Sequence, residues 1–387
     1  MHQLQISLKG SRRTSDISIG PGIRRNLAQF INDSDSINPR RVLILSNKCV
    51  FDLYGADVVA ELKRLRVKVF EWLMPEGEKH KSLRTLEQAL AFLGNNHFER
   101  NDLVIALGGG VVGDLAGLTA ALYLRGVPFI QMPTTLLAQI DSSVGGKTAV
   151  NLPIGKNMVG AFYQPPLVVI DTETLSTLPN RELVAGFCEM VKQSLIASKS
   201  LFKSTVHTLE LKTNRPNVIQ ASEFEELIAA HCSFKASIVA NDERESTSRA
   251  DAKSRKILNF GHTTAHALEA VTNYRVFRHG EAVGWGMLVA GEISKNLGLL
   301  GDADLESLRH AVHLCGPLPK AGHLQVDEII HSLQHDKKSL AGEISWVLLE
   351  GIGSPKIVSG SQVSAKLLRL SLRTGLQSFG RQKDKSH

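Results

Sequence analysis

Several groups of residues in this chain could take part in chemistry. The first is the segment from Asp141 to Asn157, which reads DSSVGGKTAVNLPIGKN. The segment combines an acid, adjacent glycines and two lysines, and it is too polar to form part of a core. Lysine supplies a positive point charge, and glycine lets the backbone come close to a ligand. This stretch therefore predicts a site that holds an anion.

A glutamate and three histidines further along the chain form a candidate metal site. His262 and His266 are four residues apart, so a helix would place them on one face, and His279 follows after room for a return loop. Glu189 lies in an apolar helical pattern that would bury it. Two imidazoles and one carboxylate make a catalytic zinc site with an open position for a substrate hydroxyl. Three histidines compete for two ligand positions, and their spacing neither chooses between them nor excludes a structural role.

Cationic and amide residues from three segments could converge as ligands of an anion. Arginine binds a carboxylate or phosphate through two hydrogen bonds, and lysine adds charge. The neighbours of these residues are glycine and asparagine rather than glutamate, which argues against an ordinary solvated surface. The set comprises Lys147, Lys156, Asn157, Arg255 and Asn259.

A glycine-rich turn follows the apolar run DLVIALG, where Gly108, Gly110 and Gly113 match the spacing G-x-G-x-x-G. Between a strand and a helix, such glycines let backbone N–H groups bind a pyrophosphate. The acidic residue expected about 20 residues further on is missing, so a tight turn without a ligand is the alternative. Asp114 either caps the following helix or binds a cofactor hydroxyl, and Thr134, Thr135 and Asp141 have the same two interpretations.

These residues need a framework, and the hydrophobic patterns indicate two domains. Short β-branched runs alternate with helical patterns in the first half, which predicts an α/β domain with a parallel sheet over residues 1–176. From about Thr177 the patterns predict a mostly α-helical domain over 177–375, with a polar loop at 241–255 and one late hairpin. Residues 376–387 are predicted to form a flexible tail. The predicted strands cover residues 41–46, 67–73, 102–108, 127–133 and 167–171.

Composition narrows the class of protein. The 387 residues, 43% of them hydrophobic, suffice for two domains. Lys and Arg exceed Asp and Glu by 45 to 38, yet only 5% of residues are aromatic and none interleave with a basic run, which argues against nucleic-acid binding. Four scattered cysteines without CxxC spacing favour a reducing cytoplasm over disulfides or a thiolate zinc site. We see no apolar run long enough for a signal sequence or a membrane span.

The motifs, read in order, resemble those of the 3-dehydroquinate synthase family. The stretch GGGVVGDLAGL is followed by RGVPFIQMPTTLLAQIDSSVGGKTAVNLPIGKNMVGAFYQP, TLSTLP, NFGHTTAH, HGEAV and DKK. The resemblance covers nearly the whole chain and is specific. It implies a Rossmann-like N-terminal domain that binds NAD, a helical C-terminal domain that carries Zn²⁺, with Co²⁺ as a substitute, and a homodimer.

The resemblance also assigns residues. It places the zinc ligands at Glu189, His262 and His279 and leaves His266 as a substrate-side or proton-handling residue. The implied NAD contacts are Glu76, Lys79, His80, Lys81, Gly110, Val111, Val112, Gly113, Asp114, Thr134, Thr135, Asp141, Lys147, Lys156, Thr174, Leu175, Ser176 and Thr177. The implied substrate contacts are Lys147, Asn157, Lys192, Lys235, Arg255, Asn259 and one of Lys337 or Lys338, with Arg125 supplied by the other subunit.

The activity implied by the resemblance is the conversion of 3-deoxy-D-arabino-heptulosonate 7-phosphate into 3-dehydroquinate and phosphate, a step of the shikimate pathway to aromatic amino acids. In this mechanism NAD oxidises a zinc-held hydroxyl, phosphate leaves, the hydride returns, and the ring opens and recloses by an intramolecular aldol step. Each step develops or expels negative charge, which suits a cationic site. The loop between Lys235 and Arg255 is about six residues longer than the family pattern predicts.

Three other interpretations compete with this one. Sister sugar phosphate cyclases make aminodehydroquinate, inosose or valiolone products, and the segment DSSVGGK with His266 favours the dehydroquinate type over the last two. A metal-dependent polyol dehydrogenase has no use for the cationic residues Lys147 and Arg255. A basic binding protein without catalysis would leave the glutamate and histidines without a purpose.

Overall fold

The computed structural model describes residues 1–7, 14–214, 219, 221–246, 248–339 and 344–377. The chain forms two compact units, which we treat separately. Unit 1 consists of Met1–Leu178 and Ile219–Glu243, and unit 2 consists of Pro179–Val218 and Arg244–His387. Within the described ranges, no helix combines the length and apolar character needed to cross a membrane.

The described residues within 1–178 contain nine strands and four α-helices. The strands are β1 (His2–Ser7), β2 (Thr14–Gly20), β3 (Arg41–Asn47), β4 (Lys68–Met74), β5 (Leu103–Gly108), β6 (Phe129–Pro133), β7 (Lys147–Leu152), β8 (Gly155–Phe162) and β9 (Leu167–Asp171). The helices are α1 (Leu27–Asn32), α2 (Lys48–Arg64), α3 (Leu83–Asn95) and α4 (Gly110–Leu122).

Seven of these strands form one sheet in the order β1-β2-β9-β6-β5-β3-β4. All neighbouring pairs are parallel except β1 with β2. The residues of β5, β6 and β9 are entirely buried, as expected for parallel strands covered on both faces. The α/β prediction is confirmed, and all five predicted strands are present.

Strands β7 and β8 form a separate antiparallel hairpin that carries most of the segment predicted to bind an anion. Helix α4 packs closely beside this hairpin. A Cβ at Gly117 of α4 would lie only 2.4 Å from the side chain of Thr148 on β7, so the approach requires a glycine. The polar sequence of the hairpin concealed its strands from pattern reasoning.

Residues 179–377 add eight helices and a second hairpin among the residues that the structure describes. The helices are α5 (Asn180–Ala197), α6 (Lys199–Asn214), α7 (Ser222–Asn241), α8 (His262–Val271), α9 (His279–Asn296), α10 (Asp302–Cys315), α11 (Val326–Ser339) and α12 (Ala365–Leu376). The strands are β10 (Ser345–Gly351) and β11 (Ser354–Ser359), which form the predicted late hairpin.

Helix α7 belongs to unit 1, where it packs against β1 and the helical segment Ala138–Ser142. The helical pattern of this segment matches that of its chain neighbours and therefore predicts that it belongs to the helical domain. The boundaries 1–176 and 177–375 therefore stay a prediction, and most of the predicted tail lies outside the described residues.

Helix α9 forms the centre of unit 2 and contacts α5, α8, α10 and α12. Nearly its whole surface is buried, from Gly280 to Ser294. At Gly280 a Cβ would lie 2.0 Å from the carbonyl oxygen of Ala185 in α5. Only glycine permits this approach of the two helices.

A buried ion pair stabilises unit 1 at the end of β9. The carboxylate of Asp171, 3% exposed, accepts hydrogen bonds from the backbone N–H of Gly22 at 2.8 Å and from Nη1 of Arg24 at 2.7 Å. We expect Asp171→Ala to lower the free energy of unfolding by about 3 kcal/mol, because the buried Arg24 would lose its main partner. Urea denaturation measures this change. Asp57→Ala removes a more exposed partner of the same arginine and should cost less than about 1 kcal/mol; equal losses would contradict the prediction.

Candidate active site

Three predicted ligands meet in unit 2. Nε2 of His262 lies 3.3 Å from Nε2 of His279, and Oε1 of Glu189 lies 3.9 Å from the former and 3.7 Å from the latter. Glu189 is fully buried on α5, whereas both histidines are partly exposed. The three side chains form a compact donor set that opens to solvent on the histidine side.

The donor set fits a divalent metal ion. Zinc–ligand bonds of about 2.0–2.2 Å in tetrahedral geometry place ligand atoms roughly 3.3–3.5 Å apart. The three observed separations are within a few tenths of an ångström of that range. Neither buried oxygen of Glu189 accepts a well-directed hydrogen bond, although Nζ of Lys192 lies 2.6 Å from Oε2. A cation next to Oε1 would satisfy the remaining charge of this carboxylate.

Local structure explains why these side chains converge. His262 is the first residue of α8 and follows Gly261, whose φ of +79° suits glycine. His279 is the first residue of α9. This helix is capped at its N-terminus by a hydrogen bond from the Arg278 N–H to Oε2 of Glu281, at 2.7 Å. Each histidine thus stands at a helix start with its orientation set by the preceding turn.

His262 and His279 each have a second contact on the other ring nitrogen. Nδ1 of His262 lies 3.3 Å from the carbonyl oxygen of Phe260, and Nδ1 of His279 lies 3.4 Å from Oε2 of Glu269. Such contacts hold the ring and leave Nε2 with its lone pair for a metal. Sequence reasoning missed Glu269, although its position seven residues after His262 on one helix face could have indicated it.

His266 lies beside this set without being part of it. Its ring centroid is 5.6 Å from that of His262 and 6.0 Å from that of His279. The ring is exposed on α8. A second possible donor group joins His266, Glu269 and His279, so the geometry retains an alternative ligand set.

The predicted anion ligands of unit 2 occupy different environments. Arg255 is 2% exposed in the helical turn Arg255–Asn259, which packs against α5 and the late hairpin. The amide nitrogen of Asn259 donates to Oε1 of Glu245 at 3.1 Å, a contact that sequence reasoning did not predict. Lys337 and Lys338 lie on helix α11, and the structure describes their backbone but not their side chains.

The glycine-rich turn of unit 1 has the predicted strand–turn–helix form. Strand β5 ends at Gly108 and α4 begins at Gly110 without a side-chain cap. A Cβ at Gly113 would lie 2.6 Å from Oε1 of Gln131 on β6, so this glycine lets the helix pack on the sheet. The uncapped N–H groups at the helix start suit an anionic cofactor.

Four charged residues cluster near this turn. Nζ of Lys81 lies 2.5 Å from Oδ2 of Asp114, and Nζ of Lys235, on α7, contacts Asp141 through its carboxylate and its carbonyl oxygen. Burial raises the pKa of the Asp114 carboxyl, and the ammonium of Lys81 offsets part of this rise. The structure thus brings three predicted cofactor ligands, Lys81, Asp114 and Asp141, close to the predicted substrate ligand Lys235.

The hairpin separates other predicted ligands. Lys147 starts β7 opposite Phe162, whereas the Asn157 N–H donates to Oδ1 of Asn151 at 2.8 Å, near the other end of β7. Asn151 lies four residues after Lys147 along β7, or roughly 13 Å away. Lys147 and Asn157 are exposed, Lys156 is partly buried, and Asn157 has a positive φ of 56°.

Some of the remaining predicted NAD ligands are buried or hydrogen-bonded within turns, and others are exposed at the surface. Thr134, Thr174 and Leu175 are buried, and Oγ1 of Thr174 donates to the carbonyl oxygen of Asp171 at 2.7 Å. The Thr135 hydroxyl accepts the N–H of Ala138 at 3.2 Å and so starts a helical segment. Glu76, Lys79, Ser176 and Thr177 are exposed, His80 and Val111 are partly buried, and Val112 is buried.

Arg125 occupies an unusual turn after α4. Leu124 and Arg125 have φ values of 48° and 66°, in the left-handed region that residues other than glycine rarely adopt. The Arg125 side chain is exposed, as are Leu122 and Leu124, at 49% and 42%. The turn presents a cation beside apolar side chains at the surface of unit 1.

Comparison with known sequences finds related proteins. Residues 71–185 match the family model for the N-terminal part of 3-dehydroquinate synthase, and residues 186–339 match that for its C-terminal part. The 3-dehydroquinate synthase of Rippkaea orientalis is 39% identical over 94% of this chain and 96% of its own. That of Nitrosospira multiformis is 44% identical over 82% of this chain and 84% of its own.

Solved structures show the same architecture. The 2-epi-5-epi-valiolone synthase of Streptomyces hygroscopicus, with NAD⁺ and Zn²⁺ bound, superposes with a TM-score of 0.82 at 26% identity over 96% of this chain and 98% of its own. A 2-deoxy-scyllo-inosose synthase complexed with carbaglucose-6-phosphate, NAD⁺ and Co²⁺ has a TM-score of 0.80 at 26% identity over 97% of this chain and 100% of its own. The predicted fold class is confirmed by these likenesses.

Proposed function

Because the chain belongs to the 3-dehydroquinate synthase family, we propose that it converts 3-deoxy-D-arabino-heptulosonate 7-phosphate into 3-dehydroquinate and phosphate. The resemblance predicted from the motifs is thereby confirmed. The observation that supports the reaction is the set of Glu189, His262 and His279, which could hold a metal ion and lies within the matched C-terminal region.

Two cofactors belong to this proposal. When bound, NAD would supply reversible hydride transfer, and Zn²⁺ or Co²⁺ would lower the pKa of a substrate hydroxyl. The NAD⁺, Zn²⁺ and Co²⁺ in the related sugar phosphate cyclases support the choice. We assign NAD to the glycine-rich turn and Asp114 of unit 1, and the metal to Glu189, His262 and His279 of unit 2.

The residues of the chain have distinct roles in the proposed reaction. Lys192 holds Oε2 of Glu189 at 2.6 Å, which leaves Oε1 directed towards the histidines. Arg255 and Asn259 bind anionic or hydroxyl groups of the sugar phosphate. His266, exposed beside the ligand set, exchanges protons with the substrate. The cationic side chains Lys147 and Lys235 add positive charge in unit 1.

We also propose a homodimer and a cytoplasmic location. The exposed Leu122 and Leu124 beside Arg125 support a contact with a second copy, into whose site Arg125 would reach. All four cysteines are free, which suits a reducing compartment. Sedimentation of the wild type and of Leu124→Asp tests the dimer.

The first experiment is phosphate release from 3-deoxy-D-arabino-heptulosonate 7-phosphate with catalytic NAD, coupled to dehydroquinate dehydratase. We expect product without net NADH, and loss of product after chelation of the metal. The amino analogue of the substrate, tested in parallel, distinguishes an aminodehydroquinate synthase. Turnover of a polyol with net NADH would instead indicate a dehydrogenase.

Asp114→Asn tests the assignment of NAD to unit 1. The loss of a charged hydrogen bond costs about 1.5–3 kcal/mol, so the dissociation constant for NAD⁺ should rise by about tenfold or more, while zinc content stays at the wild-type level. Calorimetric titration measures the constant. Asp52→Asn, on the surface of α2, is the matched control and should change nothing. Unaltered NAD⁺ affinity in Asp114→Asn would remove this residue from the site.

A further inference from the structure

Glu269 is a buried carboxylate next to the proposed metal site. It lies on α8 and is 1% exposed. Burial of a carboxylate is costly unless a donor or a positive charge compensates it. Its Oε2 lies 3.4 Å from Nδ1 of His279, ten residues later in the chain. A position chosen only for packing would not require an acid.

The two nitrogens of His279 face different groups. Nε2 points to Nε2 of His262 at 3.3 Å and to Oε1 of Glu189 at 3.7 Å. Nδ1 points to Glu269. A carboxylate accepts only, so Nδ1 must carry the proton and Nε2 keeps its lone pair. The contact therefore selects the tautomer that can bind a metal through Nε2.

His262 is held differently, by the backbone carbonyl oxygen of Phe260 at 3.3 Å from Nδ1. That acceptor is neutral and cannot be changed by substitution. The anionic acceptor on His279 increases the electron density of its ring and so strengthens Nε2 as a ligand. The contact of Glu269 with Nδ1 of His279 is therefore one that mutagenesis can alter.

We propose that Glu269 is a positioning residue that orients His279 and raises its affinity for the divalent metal. The inference rests on the proposed metal set of Glu189, His262 and His279. It differs from the arrangement in which Glu269 is itself a ligand together with His266 and His279. The orientation of Nε2 towards two other donors favours the positioning role.

The test measures metal binding without substrate or NAD, in the full-length protein after removal of its metal by a chelator. Zn²⁺ affinity is obtained by competition with a chromogenic chelator, and the Co²⁺ complex by its visible spectrum. We expect Glu269→Gln to bind Zn²⁺ about 10–100-fold more weakly at unchanged stoichiometry, with shifted Co²⁺ bands. Glu269→Asp keeps the charge and should give an intermediate affinity.

Glu292→Gln is the matched control. Glu292 is a buried glutamate on α9 that pairs with Arg309 and lies 13 residues after His279, roughly 20 Å along the helix. Its substitution should lower thermal stability without altering Zn²⁺ affinity or the Co²⁺ spectrum. A purely structural Glu269 would behave in the same way, and this result would overturn the inference.

The remaining outcomes are also decisive. Loss of all metal in Glu269→Gln, combined with its retention in His262→Ala, would make Glu269 a ligand and overturn the positioning role. A wild-type protein that binds neither Zn²⁺ nor Co²⁺ would instead refute the metal site of the proposed function. Wild-type binding with an unaltered Glu269→Gln would refute the inference alone.

Discussion

His262→Ala is expected to weaken zinc binding and to lower the rate of phosphate release, each by at least about a hundredfold. Four-ligand zinc sites bind with about 10–16 kcal/mol, so one ligand contributes about 3 kcal/mol, or roughly a hundredfold in affinity. In a site of three protein ligands, the two that remain would be Glu189 and His279. Elemental analysis and the coupled assay measure both effects. NAD⁺ affinity should remain, because the proposed NAD ligands belong to unit 1.

Two histidine variants complete this test. His266→Ala alters a ring only 5.6 Å from that of His262 and should lower turnover while metal content stays at the wild-type level. His207→Ala, an exposed position on α6, should change neither. Zinc retained in His262→Ala but lost in His266→Ala would transfer the site to the alternative group that includes Glu269.

Gly280→Ala is expected to disrupt the proposed metal site without changing any of its proposed ligands. A Cβ at this position would lie 2.0 Å from the carbonyl oxygen of Ala185 and 2.6 Å from its carbonyl carbon, and backbone atoms cannot rotate away. Helix α9 must therefore move away from α5 by more than about 1 Å. The displacement would occur next to two proposed ligands, because Gly280 adjoins His279 and Ala185 lies one turn before Glu189. We expect a loss of about 3 kcal/mol in stability and about a hundredfold in turnover.

Gly94→Ala provides the control. Gly94 lies within α3, where a Cβ would meet no atom within 4 Å. Alanine favours a helix over glycine by about 1 kcal/mol, so this variant should be as stable as the wild type or more so. Denaturation curves and zinc content of both variants decide the matter. Wild-type zinc and stability in Gly280→Ala would show that α5 and α9 tolerate the separation.

Local patterns were sufficient for the regular elements. The apolar runs of β3, β5 and β9 and the helical spacing of α5 and α9 are properties of consecutive residues, so they can be recognised from the chain alone. The same holds for the strand–glycine–helix order around Gly108. The strands β7 and β8 escaped recognition, since their sequences, KTAVNL and GKNMVGAF, lack the regular alternation of apolar and polar residues expected of a half-buried strand.

The order of motifs along the chain was enough to identify the family and the three metal ligands proposed from it. Which nitrogen of His279 faces Glu189, and that Glu269 occupies the other, depended on how α5, α8 and α9 pack. Sequence spacing constrains residues within one helix, whereas distances between helices follow from contacts such as that of Gly280 with Ala185. The residue types of the proposed site could therefore be predicted from the sequence, whereas the distances between them are set by the packing of α5, α8 and α9.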